Sequence, residues 1–290
     1  WTGSEWIPVG TQTQHASGAN VFTQQKIVDS VIMGNLTSQT IVQNSPEDMA
    51  KAMVMALEQI GFVGNIQSSN PSNQQMSNVK NLLKASDEMA SRGIHIPGPT
   101  DLKLGNAARL TGRHKAAMEY YERALKTFRS EANKSGEADA LINIGYVSLG
   151  QGDIAQAYAD FNNAQAMKHE LGEANGKADA TLAMANLALA GNEIDQAEQL
   201  FTQALSIKEQ HNDEHGIAIA LIGLGNIMES KKDYAAAQLL YRQGLMIKKR
   251  QNDLEGEAII LSNLATVAEH LGNLSDAQRL TNQSIAIKRE

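Results

Sequence analysis

The sequence contains no cysteine and no long apolar run, and each absence removes a class of protein. Without cysteine, the 290 residues hold no disulfide, no thiolate metal site and no cysteine nucleophile. Both cytosolic and exported proteins can lack cysteine, so the compartment is left open. No run of about 18 or more apolar residues is present, so the sequence predicts no membrane span.

Aromatic residues and excess basic charge are also scarce. Only 4% of the residues are aromatic, whereas Ala and Gly are frequent, which favours helices that pack closely through small side chains. The net charge is −7, and nucleic-acid binding needs a clustered basic surface. The composition therefore predicts a folded protein without a nucleic-acid partner, long enough for one elongated domain or two compact ones.

What the sequence does contain is a repeat of 40 residues that starts at Gly105. One column of the repeat holds Ala117, Ala157, Ala197, Ala237 and Ala277. An aromatic column holds Tyr121, Phe161, Phe201 and Tyr241, and Thr281 departs from it. Two small-residue columns hold Ala124, Ala164, Ala204, Gly244 and Ser284, and Gly105, Gly145, Ala185, Gly225 and Ala265. Gly136, Gly176, Gly216 and Gly256 are expected to supply the turns between units.

Each unit is predicted to form two helices. Apolar residues recur with a helical period over 137–150, and Gly150 and Gly152 end this helix before Asp153, which caps the next one. The second helix, from about 154 to 169, carries Ala157, Phe161, Ala164 and Met167 on one face. Such a unit cannot bury its apolar face alone, so the units are expected to stack into a solenoid.

The pattern Leu141…Gly145…Ala157…Phe161…Ala164 resembles the tetratricopeptide repeat (TPR) family. The resemblance covers about 105–290, with a degenerate start near 75. The period is 40 residues rather than about 34, and the usual Pro at the unit end is absent. The longer unit is similar to variants in kinesin light chains and in cell-polarity adaptors that bind linear peptides. The resemblance implies an all-α, right-handed solenoid of about five helix-turn-helix units, whose first helices line a concave groove.

The resemblance also implies which residues face the groove, namely those around the small residue of each first helix. These candidates are Leu102, Asn106, Ile142, Asn143, Tyr146, Leu182, Asn186, Ile222, Asn226 and Asn263. An Asn amide both donates and accepts, so a ladder of amides could pair with the backbone of an extended peptide, beside an aliphatic row that holds its side chains. The alternative is that the amides cap or bridge neighbouring helices inside the array.

No pattern in the sequence supports an enzyme, and neither a cofactor nor a metal is predicted. His211 and His215 are four residues apart, but their order differs from H-E-x-x-H and Gly216 follows at once. This stretch is therefore interpreted as a polar turn between repeats. The stretch 172–179 has a glycine-rich pattern, but it lacks the Ser or Thr after Lys177 that a phosphate loop needs and follows no predicted strand.

The chain ahead of the repeats is predicted to divide into three parts. Residues 1–44 form an extended, β-type segment, 45–63 an amphipathic helix that begins after a Ser-Pro pair, and 64–75 a polar linker. The solenoid is predicted over 76–290.

A β-hairpin is predicted near 27–42, with strands at 27–33 and 36–42 around Gly34-Asn35. Two strands alone are marginal in water, so they need a covering helix or another molecule. The hairpin is therefore either a docking or polymerising element or only a cover for the helix that follows.

Self-assembly is the second function that the sequence leaves open. The array stops after the second helix of its fifth unit without a polar capping helix, and contacts between unlike ends close into rings or continue as filaments. The candidate contact residues are Val28, Val31, Ile32, Ile41, Val42, Ile285 and Ile287. The expected partner is thus a protein or peptide in the groove, with a homo-oligomer or homopolymer as the alternative.

Overall fold

The structure is a computed structural model, and it describes residues 24–34, 36, 40, 44–60 and 73–289. These residues form helices joined by short turns, with no β-strand among them. The N-terminal helices are α1 (24–33), α2 (Pro46–Gln59) and α3 (Asn73–Ser91). In the described part of the chain, no helix is long and apolar enough to cross a membrane.

The remaining helices come in antiparallel pairs. The first helices of the pairs are α4 (Gly98–Leu110), α6 (Lys134–Gly150), α8 (Ala174–Ala190), α10 (Glu214–Ser230) and α12 (Leu254–His270). The second helices are α5 (His114–Ser130), α7 (Ile154–Glu170), α9 (Ile194–Gln210), α11 (Tyr234–Arg250) and α13 (Leu274–Arg289). A 40-residue unit is therefore two 17-residue helices and two turns of three residues. The predicted all-α stack of helical hairpins is confirmed.

The turns share one design, in which the second residue has a positive φ and the third is the N-cap of the next helix. The positive-φ residues are Gly112, Ala132, Gly152, Gly172, Asn192, Asn212, Lys232, Asn252 and Gly272. After α6, the Gly152 N–H donates to the Leu149 carbonyl (3.0 Å) and the Asp153 N–H to the Ser148 carbonyl (2.9 Å), as in a Schellman cap. Asp153 then accepts from the Gln156 N–H (3.0 Å) as the N-cap of α7.

The glycines at 136, 176, 216 and 256 do not lie in these turns, which corrects the sequence-based expectation. They occupy the third residue of first helices α6, α8, α10 and α12. A Cβ at Gly136 would lie 2.5 Å from the Phe128 ring, and one at Gly216 would lie 2.5 Å from Lys208 Cδ. Glycine is needed here because a side chain of the preceding second helix crosses the backbone at this point.

The predicted close approach of the two helices within a unit is confirmed. A Cβ at Gly145 would lie 2.5 Å from the Phe161 ring, and one at Gly225 would lie 2.4 Å from the Tyr241 ring. Both rings are fully buried. Each ring therefore fills the space that the missing side chain leaves.

The first strand of the predicted hairpin, 27–33, is wrong, because residues 24–33 form helix α1. Ile27, Val28 and Val31 recur at helical spacing and are buried in the same core as residues of α2 and α3. This packing outweighs the β propensity of branched residues. Gly34 follows the helix with a φ of 73°. Of the second strand, 36–42, only residues 36 and 40 belong to the described part of the chain.

The N-terminal helices are continuous with the array. One apolar core contains Val28 of α1, Met53 of α2, Leu82 of α3, Leu104 of α4 and Tyr121 of α5. A buried polar cluster adds to it, because Arg123 of α5 donates to Asp101 of α4 (2.7 Å) and to Ser86 of α3 (2.8 Å). The helices before the repeats therefore form one body with the first unit.

The first helices lie closer together than the second helices. Successive first helices, α4 with α6, α6 with α8 and α8 with α10, contact each other directly, whereas the described second helices make no comparable contacts with one another. The more tightly spaced row of a curved stack lies on its inner side. The first helices are therefore the row expected on the concave side of the stack.

Candidate binding groove

The candidate site is the inner face of first helices α4, α6, α8, α10 and α12, called the groove from here on. Residues with accessible surface recur along each of these helices every three or four positions, so they share one face. The groove residues are Leu102, Lys103, Asn106, Arg109, Asp139, Asn143, Tyr146, Leu149, Asp179, Asn186, Leu189, Ile219, Ile222, Asn226, Glu229, Ile259, Asn263, Thr266 and Glu269.

Most of the residues predicted from the sequence lie on this face, but two do not. Leu182 is 2% exposed and Ile142 is 9% exposed, because both belong to apolar clusters inside the array. Leu102 and Ile222 are half-buried and keep accessible surface. Ile219 and Ile259, which sequence reasoning missed, extend the apolar part of the groove. Ile259 is 43% exposed.

The Asn amides take part in hydrogen bonds inside the array. Asn106 Oδ1 accepts from the Tyr121 hydroxyl at 2.7 Å, and Asn226 Oδ1 lies 2.6 Å from the Tyr241 hydroxyl. Asn263 Nδ2 donates to Asn226 Oδ1 at 3.3 Å. The Nδ2 groups of Asn106 and Asn226 make no hydrogen bond to any described residue. One end of these amides is therefore structural, and the other is available to a ligand.

The remaining amides are bonded more loosely or locally. Asn186 Nδ2 lies 3.5 Å from the Tyr146 hydroxyl, at the limit of a hydrogen bond. Asn143 Nδ2 donates to the Asp139 carbonyl of its own helix at 2.9 Å. Asn186 thus has the weakest internal bond of these groove amides, which favours it as a ligand contact.

The groove hydroxyls remain protonated at neutral pH. Burial raises the pKa of Tyr121 to about 12, although Arg109 opposes the shift, and burial raises the pKa of Tyr146 to about 12. Burial and the Glu229 carboxylate raise the pKa of Tyr241 as well. The Tyr241 hydroxyl faces two acceptors, Asn226 Oδ1 at 2.6 Å and Glu229 Oε2 at 2.9 Å, but it has only one proton to donate. This corner of the groove is therefore rich in acceptors.

Buried lysines neutralise the carboxylates in the middle of the groove. Lys208 is fully buried, and its Nζ lies 2.5 Å from Asp179 Oδ1 and 2.7 Å from Asp213 Oδ2. Lys168 bridges Asp139 and Glu173 in the same way, at 2.8 Å from each. Each lysine thus links the inner face of one unit to the N-terminal cap of the next.

Sequence reasoning missed these lysines. Their signal is a lysine every 40 residues, at 168, 208 and 248, with an acidic residue five positions later. Lys248 follows the same pattern and lies 2.8 Å from Asp253 Oδ2.

The histidine pair of the sequence does not form a metal site with its neighbours. His211 lies in the turn before α10, and His215 lies in its first turn. Burial and the nearby Lys248 cation lower the pKa of His215 to about 4. Among the described residues, no group of three or more His, Asp or Glu side chains is placed to hold a metal ion.

A stack of antiparallel helical hairpins in 40-residue units is the architecture of a helical-repeat solenoid. The family model of the tetratricopeptide repeat matches residues 102–130, which include most of α4 and α5. The predicted resemblance to the tetratricopeptide repeat family is confirmed. No curated protein sequence matches the chain.

Solved structures with this fold include two Rap proteins and BtubC. A Rap protein complexed with Competence and Sporulation Factor superposes with a TM-score of 0.59 at 10% identity, over 94% of this chain and 78% of that one. RapI in its apo form gives 0.52 at 14% identity, over 93% and 76%. BtubC (BKLC) from P. vanneervenii gives 0.53 at 16% identity, over 85% and 92%. These likenesses show a shared fold.

Proposed function

We propose that the chain is a non-enzymatic scaffold that binds an extended segment of a partner protein along the groove. The observation that carries this proposal is the pair Asn186 and Asn226, which occupy the same position in successive first helices and are both half-buried with accessible surface. The Asn186 amide can donate to and accept from a peptide backbone, and the Asn226 Nδ2 group can donate to a peptide carbonyl. Neighbouring helices about 8–10 Å apart would place these amides about three residues of extended peptide apart.

An apolar patch beside the amides supports the proposal. Ile219 and Ile222 of α10 and Ile259 of α12 keep accessible surface on the same face. An aliphatic side chain of the partner would remove this surface from water, at about 25 cal/mol per Å². The Rap protein with this fold that was solved in complex with Competence and Sporulation Factor gives further support.

The proposal is tested by selecting random peptides displayed on phage against the immobilised chain. We expect the wild type to enrich peptides that the double variant Asn186→Ala, Asn226→Ala no longer enriches. The matched control is Asn162→Ala, Asn163→Ala, which makes the same change on the exposed face of second helix α7. Circular dichroism checks that both variants are folded. Equal enrichment by the wild type and the groove variant would overturn the proposal.

Self-assembly is the second candidate, and its predicted contacts need correction. Val28 and Val31 are fully buried in the core of the N-terminal helices, so they are not surface contacts in this fold. Ile32 is partly buried, and Ile41 and Val42 lie outside the described residues. On α13, Ile285 is 40% exposed and Ile287 is half-buried.

The exposed Ile285 is the observation that favours self-assembly. Light scattering over a range of concentrations tests it. A particle mass that grows with concentration, and that Ile285→Asp holds at the monomer value, is the expected result. A constant monomer mass in the wild type would end this candidate.

A further inference from the structure

One column of the groove changes charge along the array. The equivalent residues of the five first helices are Arg109, Leu149, Leu189, Glu229 and Glu269. The first and the last are exposed, and the three between are half-buried. The column therefore presents a cation at the α4 end, two aliphatic side chains in the middle and two carboxylates at the α10–α12 end.

A hydrogen-bonded Tyr–Asn pair lies beside Arg109 and another lies beside Glu229. In the first unit the Tyr121 hydroxyl donates to Asn106, with Arg109 beside it. Three units later the Tyr241 hydroxyl lies beside Asn226 and Glu229. The charge is thus the chemical difference between two otherwise equivalent corners of the groove.

The charges at the ends have no counter-ion in the described part of the chain, unlike those between them. Asp139 and Asp179 are each neutralised by a buried lysine at 2.8 Å and 2.5 Å. By contrast, no described carboxylate pairs with Lys103 or Arg109, and no described cation pairs with Glu229 or Glu269. A ligand that supplies the opposite charges would therefore meet an uncompensated cation at one end and uncompensated carboxylates at the other.

We propose that the groove selects an extended partner segment whose order of charges is complementary to that of the column. The segment places an acidic side chain at Arg109, aliphatic side chains next to it and a basic side chain at Glu229 and Glu269. This inference rests on the proposed binding of a segment in the groove. Three helix-to-helix steps of about 8–10 Å correspond to about eight residues of extended chain. The acidic and basic residues of the partner segment are therefore separated by about that number. The acceptor-rich corner at Tyr241 also favours a hydrogen-bond donor such as Lys or Arg.

The experiment uses three fluorescein-labelled twelve-residue peptides of identical composition as probes. One has its acidic residues near the N-terminus and its basic residues near the C-terminus, the second has the opposite order, and the third alternates the charges. Fluorescence anisotropy measures their binding to the wild type at low salt. We expect one of the two peptides with separated charges to bind about five- to tenfold more tightly than the alternating peptide, as two partly exposed ion pairs allow.

The deciding variant exchanges the charges, Arg109→Glu with Glu229→Arg, and leaves the net charge and the amides unchanged. We expect this variant to prefer the peptide with the opposite charge order, because the amides keep the direction of the bound peptide while the charges of the groove are reversed. The matched control, Lys126→Glu with Glu209→Lys, makes the same exchange at exposed positions on second helices α5 and α9 and should keep the wild-type preference.

The outcomes separate this inference from the proposed function. An inverted preference supports the inference. An unchanged preference, equal binding of all three peptides or no binding of any of them overturns it. The phage selection described above decides independently whether the groove binds peptides at all. Peptides that depend on Asn186 and Asn226 but carry no common charge order would leave the groove function standing without this selectivity.

Discussion

The Lys208 ammonium lies 2.7 Å from Asp213 Oδ2, so a buried cation at the end of one repeat holds the N-terminal cap of the next. In the first junction of the array, the same two positions are occupied by Phe128 and Asn133. Asn133 also caps its helix, by accepting from the Gly136 N–H at 2.9 Å. The same junction between repeats is therefore formed by a charged pair, Lys208 and Asp213, in one place and by an uncharged pair, Phe128 and Asn133, in another.

This pairing predicts that Lys208 and Asp213 are energetically coupled. Lys208→Phe alone should lower the free energy of unfolding by about 1–3 kcal/mol, because Asp213 loses its cation while it remains three-quarters buried and Asp179 loses the same cation. Adding Asp213→Asn, which copies the Phe128–Asn133 pair, should recover part of the loss, because Asp179 still lacks its cation. Urea unfolding followed by circular dichroism in a double-mutant cycle measures the coupling. Equal losses in the single and double variants would contradict it.

Two glycines of helix α6 are expected to respond in opposite directions to alanine. Gly145→Ala should destabilise by about 1–3 kcal/mol, since its Cβ would lie 2.5 Å from the Phe161 ring. Gly150→Ala should stabilise by about 0.5–1 kcal/mol, because no atom lies within 4 Å of the added Cβ and alanine favours the helix. Thermal unfolding of both variants gives the comparison. Gains of equal size at the two positions would show that helix propensity, and not the ring, sets the effect.

The turn before α6 is expected to be strained. Ala132 has a φ of 53°, whereas the equivalent turns carry glycine or asparagine at all but one position, Lys232. Ala132→Asn should therefore raise stability by about 0.5–1 kcal/mol, since asparagine tolerates the left-handed region better than alanine. The control is Glu131→Asn in the same turn, where φ is −90° and no gain is expected. A gain of the same size at both positions would exclude backbone strain as the cause.

The repeating unit could be predicted from the sequence because five copies of one packing solution place the same residue types at the same spacing. The Gly145–Phe161 contact, for example, is visible as a small column and an aromatic column. The lysine junctions were missed for a physical reason, since lysine is seldom fully buried unless it is paired. Only the glycine eight residues after Lys208 shows that its aliphatic stem crosses the next helix.

The wrong prediction of a strand at 27–33 has a different cause. The stretch 27–33 is rich in branched residues, and this propensity favoured a strand. The spacing of Ile27, Val28 and Val31 fits one face of a helix, and that face is buried with α2 and α3. Tertiary packing decides such short stretches, and the partners of that packing cannot be identified from the stretch alone. Which groove amides keep a free donor likewise depends on contacts between helices, such as Tyr241 with Asn226 within a repeat and Asn263 with Asn226 between repeats.

A buried carboxylate in α7 gives the last prediction. Asp160 is 4% exposed, and its Oδ1 accepts from Gln156 at 3.0 Å, whereas its Oδ2 has no hydrogen-bond partner among the described residues. The equivalent residues of the next three units are Leu200, Leu240 and Leu280. Asp160→Leu should therefore stabilise the chain at neutral pH by about 1–3 kcal/mol, because it removes a desolvated polar group. The reverse change, Leu200→Asp, should destabilise.

The pH dependence tests the cause of this gain. Burial raises the pKa of Asp160 above its ordinary value of 3.8, so the folded state holds the proton more tightly than the unfolded state. Ionisation therefore removes stability from the wild type as the pH rises from 3.8 through the folded-state value. The advantage of Asp160→Asn over the wild type should be largest at neutral pH and shrink as the pH falls towards 3.8. Urea unfolding of both proteins between neutral pH and this value measures the difference, and an advantage that does not change with pH would exclude the buried charge as its source.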